Sequence, residues 1–174
     1  MLPYTVITAA TIKPILVDAT LRLHMRLSAT DTSEDDLLDA YVDAATQYVE
    51  RYIGYPLMTQ VVELKLTKQP TETQDLTGSV NDIITYTIDD GSDIDGTALS
   101  VEKYGILSQV RYDSFASGSL FKFKCNAGYT VDNVPEDIKQ ACRLLVMHMY
   151  EVRESVKVNA PDTVTDILDR HLLY

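Results

Sequence analysis

The run Leu38-Asp39-Ala40-Tyr41-Val42-Asp43-Ala44-Ala45-Thr46-Gln47-Tyr48-Val49-Glu50-Arg51-Tyr52-Ile53-Gly54 decides the fold. Leu38, Tyr41, Val42, Ala45, Tyr48, Val49 and Tyr52 recur at three- and four-residue steps, the spacing that collects side chains on one face of an α-helix. Just upstream, Thr32 or Ser33 is placed to cap that helix, and Glu34, Asp35 and Asp36 load its first turn with negative charge. Such charge complements the positive end of the helix dipole, and a side-chain cap contributes about 1 kcal/mol. Gly54 supplies the stop, and Pro56 prevents the helix from resuming.

Working outward from this helix, Tyr4 to Thr8 favours an extended segment and Pro14 breaks any helix through it. A short helix is expected from about Val17 to Leu27, with Asp18 near its start and Arg22 and Arg26 one turn apart on one face. These arginines read equally as contacts for an acidic partner or as charges suited to a helix C-terminus.

Beyond Pro56 the hydrophobic period changes to two. Val62, Leu64 and Leu66 alternate with Glu63, Lys65 and Thr67. Ile84, Tyr86 and Ile88 alternate with Thr85 and Thr87, and Phe121, Phe123 and Cys125 with Lys122 and Lys124. Shorter strands are expected near Leu99 to Tyr104 and Val110 to Tyr112, with Gly78, Gly91, Gly96, Gly105, Gly118 and Gly128 at the turns. Pro135 then opens a further helix at a favoured early position, with Ile138, Ala141, Cys142, Leu145, Met149 and Val152 as its stripe. Residues 154–161 read as a linker. A last helix from about Thr163 gathers Val164, Ile167, Leu168, His171 and Leu172 on one face.

The expected fold class is α+β: a helical bundle of about four helices with an inserted, mostly antiparallel β subdomain. Residues 1–59 form the N-terminal arm and first two helices, 60–130 the inserted β subdomain, 131–154 the third bundle helix, and 155–174 the linker and C-terminal amphipathic helix.

With 174 residues, 45% of them hydrophobic, the chain can bury a sizeable core. No apolar run is long enough to span a bilayer, and Met1-Leu2-Pro3-Tyr4 lacks the basic start and apolar stretch of a signal peptide, so synthesis and retention in a cytoplasm are expected. Cys125 and Cys142 fall inside apolar patterns and are expected to be reduced core thiols, a disulfide between them being the alternative. Acids outnumber bases 26 to 15, for a net charge of −11, and no basic run is present. Tight binding to nucleic-acid phosphates needs clustered Lys and Arg. The acidity fits an ordinary soluble surface equally well, and would also suit a surface that DNA must slide past without sticking.

Nothing in the sequence assembles chemistry. His24, His148 and His171 belong to different predicted helices, and none has a second His or a Cys at metal-ligand spacing. Cys142 and His148 do not share a helix face, which removes a Cys–His nucleophile pair. Phosphate-binding glycine loops are missing. In the acidic stretch from Asp89 to Gly96, alignment on a calcium loop puts Asp93, Asp95, Gly96 and Glu102 at the third, fifth, sixth and twelfth positions, but puts Gly91 at the first. The flanks read as strands, so a solvated Asp/Gly hairpin turn is the favoured reading. Asp93, Asp95 and Glu102 are the metal candidates that remain. No cofactor and no enzymatic activity are expected.

Several motifs, taken in order, resemble the head–tail connector (adaptor) proteins of tailed phages, in the longer form that carries a β insertion. Ala44 to Gly54 resembles their second helix, His24-Met25-Arg26-Leu27 the close of their first, and Ser33-Glu34-Asp35-Asp36 the start of the next. Gln60 to Leu66 and Ile83 to Gly91 resemble strands of the longer members. Ala127-Gly128-Tyr129, Val134-Pro135 and Ile138-Lys139-Gln140-Ala141 resemble a strand end and helix start, and Tyr150-Glu151-Val152-Arg153-Glu154 a helix end. The resemblance covers nearly all of residues 14–154.

It implies a non-enzymatic neck protein, made in the host cytoplasm and located in the virion neck. The protein would form a ring, typically dodecameric, that joins the portal to the tail and extends a DNA channel through which DNA passes without specific binding. The implied partners are further copies of itself, the portal protein and a tail or tail-completion protein, with no membrane. The C-terminal segment from Lys157 is the implied portal contact, through Val164, Ile167, Leu168, Leu172 and Tyr174, with Arg22 and Arg26 as further partner contacts. Packing of that helix on its own bundle is the competing expectation. If the portal reading holds, truncation after about Asn159 weakens docking and leaves the fold intact. The alternative functions are a tail-completion or tail-terminator protein and, from another class, a calcium- or ligand-binding accessory protein using residues 89–102.

Overall fold

The computed structural model describes residues 4–67, 73–76, 79–104, 107–111, 117–152 and 160–172. Gly78, Gly105, Tyr112, Arg153, Glu154, most of the expected linker, and Tyr174 lie outside them. The described residues divide into two compact units, one from 4–11 and 54–130, the other from 12–53 and 131–172.

The first unit is built from strands β1 (Tyr4–Thr8), β2 (Gln60–Leu66), β3 (Thr73–Leu76), β4 (Val80–Ile88), β5 (Ile94–Asp95), β6 (Ser100–Tyr104), β7 (Leu107–Arg111) and β8 (Phe121–Ala127). They form a five-stranded sheet in the order β1-β2-β8-β4-β5 and a three-stranded sheet in the order β3-β7-β6. Every pairing is antiparallel. The period-two alternation fixes the register. Val62 lies opposite Cys125, Leu64 opposite Phe123 and Leu66 opposite Phe121, so one face of the sheet is continuously apolar. That face forms a core with Leu76 of β3, Val101 of β6 and Val110 of β7. The lysines of β8 alternate with these buried positions.

Two strands were not foreseen. β3 reads Thr-Gln-Asp-Leu, with no alternation, and β5 is two residues long inside the acidic stretch. The segment expected as an N-terminal arm is the strand β1, which pairs with β2 and so belongs to the sheet. After β4 the chain reverses through Asp89 and Asp90, both at positive φ, closed by the Gly91 amide donating to the Ile88 carbonyl at 2.9 Å. Asp tolerates this left-handed conformation better than most residues.

The second unit holds α1 (Ala19–His24), α2 (Asp35–Ile53), α3 (Glu136–Glu151) and α4 (Asp162–Leu168). Asp18 caps α1 through its carboxylate, which accepts from the Leu21 amide at 2.9 Å. The helix ends earlier than its spacing predicted. The Arg26 amide donates to Leu23 and the Leu27 amide to Arg22, with Arg26 at φ 58°. This is the double bond pattern that closes a helix around one left-handed residue, usually glycine. Arg26→Gly should therefore stabilise the chain by about 1 kcal/mol, read as a rise in urea midpoint at unchanged slope; a fall would show that the arginine side chain contributes more than its backbone costs.

α2 starts at Asp35, past the expected caps. Ser33 instead donates its amide and hydroxyl to the Asp31 carboxylate at 3.0 and 2.7 Å. Its buried stripe is Leu38, Val42, Ala45, Val49 and Ile53, with Tyr41, Tyr48 and Tyr52 half-buried beside it. α3 presents Ile138, Ala141, Cys142, Leu145 and Val146. α2 packs on α3, and α4 packs on both.

Candidate functional site

Arg22 is buried, not presented to a partner. Its guanidinium donates to the Asp31 carbonyl and pairs with the Asp35 carboxylate, tying α1 and its following loop to the first turn of α2. Because α1 stops at His24, Arg26 shares no helix face with Arg22 and is exposed. The arginine pair expected from spacing therefore does not exist, and only Arg26 is open to a partner.

Removing one side of this tie has an asymmetric cost. Asp35→Ala leaves a buried guanidinium without its carboxylate and should cost about 2 kcal/mol. Arg22→Met should cost less, because the Asp35 side chain is 36% exposed and is rehydrated. Urea denaturation of both variants decides this; an Arg22→Met loss larger than that of Asp35→Ala rejects the reasoning.

The C-terminal helix is covered by its own bundle. Val164 and Leu168 are 0% exposed, so they are not on a surface that a partner touches. This corrects their assignment as partner contacts: the apolar stripe that an isolated amphipathic helix must bury is already buried within the chain. Ile167 and Leu172 are half-buried, and Tyr174 lies outside the described residues.

Two polar ties hold the same segment. The Tyr52 hydroxyl donates to Asp169 at 2.6 Å, and this bond pushes its pKa up to about 12. His171 Nε2 lies 2.7 Å from the Asp137 carboxylate. Burial would raise the Asp137 carboxyl, but the hydrogen bond and charge of His171 outweigh it and hold it below the usual range.

The acidic stretch does not converge on a cation. Asp95 accepts from the Thr97 amide at 2.9 Å, capping a short 3-10 turn. Glu102 pairs with Arg111 at 3.0 Å, and Asp93 is exposed. Among the described residues no three His, Cys, Asp or Glu side chains are grouped to hold a metal.

The carboxylate that sequence reasoning missed is Asp89. It accepts from the Ser119 amide, the Ser119 hydroxyl and the Leu120 amide, each at 2.8 Å. These bonds, Ser119's first, hold it below the usual carboxylate range. Asp90 pairs with Lys122. The loop's charges thus fasten the turn after β4 to the start of β8 and the two residues ahead of it, and no sequence signal marks Ser119 as the partner.

Cys125 and Cys142 are free and buried, and burial pushes both thiols up to about 12, which removes them as nucleophiles. No described helix is long and apolar enough to cross a membrane. What the surface does offer is apolar: Val6, Ile7, Ile84 and Ile94 in the first unit, and Ile12, Leu16 and Leu23 in the second, are exposed.

A family model described as head completion protein matches residues 16–167. No curated protein matches the chain by sequence. Among solved structures, the chain is similar to one from the neck of an empty gene transfer agent particle computed with C6 symmetry, with a TM-score of 0.76 and 20% identity, over 98% of this chain and 95% of that one. It is similar to one from the virion of a native gene transfer agent particle, with a TM-score of 0.71, 20% identity and the same coverage. A third similar structure comes from the neck of the native particle computed with C12 symmetry, at 0.67 and 17% identity. At these identities the likeness establishes a shared fold.

Proposed function

The chain belongs to the head completion protein family, and from that premise we propose that it is a structural, non-enzymatic neck protein of a tailed phage or phage-like particle. Its copies form a ring between portal and tail, made in the host cytoplasm and resident in the virion neck, and the ring extends the channel through which DNA passes. The observation that carries this reading is the family match over residues 16–167. The fold shared with gene transfer agent neck structures, computed with C6 and C12 symmetry, supports a ring of twelve.

The charge balance supports it as well. A net charge of −11 suits a channel that the duplex passes without sticking. Portal and tail-completion proteins are the partners of the two ring faces. With Val164 and Leu168 committed to the bundle, the portal contact falls to half-buried Ile167 and Leu172. Repetition around the ring makes weak individual contacts sufficient.

Electron microscopy of the chain mixed with its cognate portal tests the proposal. The expected result is an added ring coaxial with the portal. A well-folded chain that never joins the portal, but binds a tail tube, would establish the tail-completion reading instead.

A further inference from the structure

Resting on the ring reading, we propose that Leu23 and Arg26 form a knob that seats on Ile94 of the next copy of this chain, beside Asp93 and Asp95. Leu23, on α1, is 77% exposed, the highest value for a large apolar side chain among the described residues. Arg26 follows within one turn, its amide bonded to the Leu23 carbonyl at 3.1 Å. It holds a left-handed backbone, φ 58°, which costs stability at any residue with a Cβ; such strain points to a use for the side chain. The fold supplies no such use. In the same unit Lys13 pairs with Asp39 and Asp43, Arg22 with Asp35, and Lys139 and Arg143 with Glu136. Arg26 is exposed and meets no carboxylate among the described residues.

A cation beside an open apolar side chain fits an apolar side chain beside anions. Of the exposed large apolar residues described, Ile94 alone has an acid on each side in the chain. It lies on β5, the terminal strand of its sheet, and Asp93 and Asp95 are both exposed. Asp95 accepts from the Thr97 amide, and neither aspartate pairs with a cation among the described residues. Acids at a terminal strand discourage ladder pairing, which leaves the side chains to make the contact. Charge also selects between the possible pairings. Two knobs repel each other through Arg26, and two Ile94 patches repel through their aspartates, while knob and patch attract. The chain therefore carries both halves of one contact, the knob on its helical unit and the patch on its β-rich unit. A contact between unlike patches joins copies head to tail, as a ring requires.

Assembly of the full chain on its cognate portal, followed by electron microscopy and by cross-linking, tests this. Arg26→Gly, which relieves the backbone, should raise the urea midpoint and still raise the concentration needed for assembly by about tenfold, because the lost contact recurs around the ring. Arg26→Asp should assemble less well again, and adding Asp93→Arg should restore assembly. Because the native thiols are buried, Leu23→Cys combined with Ile94→Cys should give a ladder of disulfide-linked oligomers, and either variant alone should give monomers. Dimers of Leu23→Cys alone would show knob meeting knob and overturn the proposal. So would Arg26→Gly assembling as the parent does. Loss of portal binding by Arg26→Asp, with no cross-link in the double cysteine variant, would place the knob on the portal and also overturn it. If a ring is seen on the portal while every one of these variants behaves as the parent does and no cross-link forms, only this contact is wrong; if the unaltered chain forms no ring, the ring reading falls with it.

Discussion

A chain truncated after Asn159 should lose the integrity of its helical unit. Val164 and Leu168 are fully buried, and each is worth about 1.5–3 kcal/mol on burial. Deleting α4 also bares the parts of α2 and α3 on which it packs and removes the Tyr52–Asp169 and His171–Asp137 ties. The sum is a large share of the roughly 5–15 kcal/mol that holds a typical domain. Leu168→Ala, the single-residue version, should cost about 3 kcal/mol.

Chemical denaturation followed by circular dichroism reads both. A truncated chain with the full-length urea midpoint would show that α4 is an appendage. This reverses the expectation drawn from sequence, in which truncation spared the fold. It also means that lost portal binding by the truncated chain would not identify a contact. Leu172→Ser, at a half-buried position, is the cleaner probe.

Gly128→Ala should be the most damaging single methyl group in the β-rich unit. Gly128 sits at φ +107°, and a Cβ there would lie 2.3 Å from the Met58 carbonyl oxygen and 2.9 Å from the Thr59 amide nitrogen. Both are backbone atoms of a segment held in place by its own bonds. The Tyr129 amide donates to Leu57 at 2.8 Å, the Thr59 amide to Tyr129 at 3.0 Å, and the Gly128 amide to Ser79 at 2.8 Å. The methyl group cannot be accommodated without breaking this crossing, so a loss of about 3 kcal/mol or more is expected, above the conformational cost alone.

Gly54 is the internal control. It too has positive φ, +85°, but nothing lies within 4 Å of its Cβ position. Gly54→Ala should therefore cost only about 1 kcal/mol. Equal melting temperatures for the two alanine variants would show that the close approach at Gly128 relaxes freely.

What the sequence made legible was whatever repeats with a period. The α2 stripe and the β2 and β8 alternations are each set by side chains within one segment, and the α+β class follows from them. The family resemblance was legible in the same way, as short motifs in order. Pairings between distant segments were not. Asp169 is 117 positions from Tyr52, and neither residue type announces the other. Arg22 looked like a surface charge because nothing local reports that Asp31 and Asp35 lie within its reach. β1 was seen as extended, but whether an extended segment is an arm or a strand depends on β2, more than fifty residues later. The C-terminal helix was read correctly as amphipathic, and its choice between partner and own bundle turned on α2 and α3, which no window of sequence contains.

The two halves of the helical unit lie on either side of the β-rich stretch, and this has a consequence during synthesis. When α2 leaves the ribosome, its Leu38, Val42, Val49 and Ile53 have no mate until α3 is translated. At the usual rate of elongation that wait is on the order of ten seconds, whereas a helix forms in about a microsecond. The nascent chain thus trails an amphipathic rod that is only marginally helical without its packing partner and exposes its apolar stripe throughout translation of the strands. Holding chaperones have their window there, and a ribosome stalled within the strands leaves a fragment that displays that rod permanently.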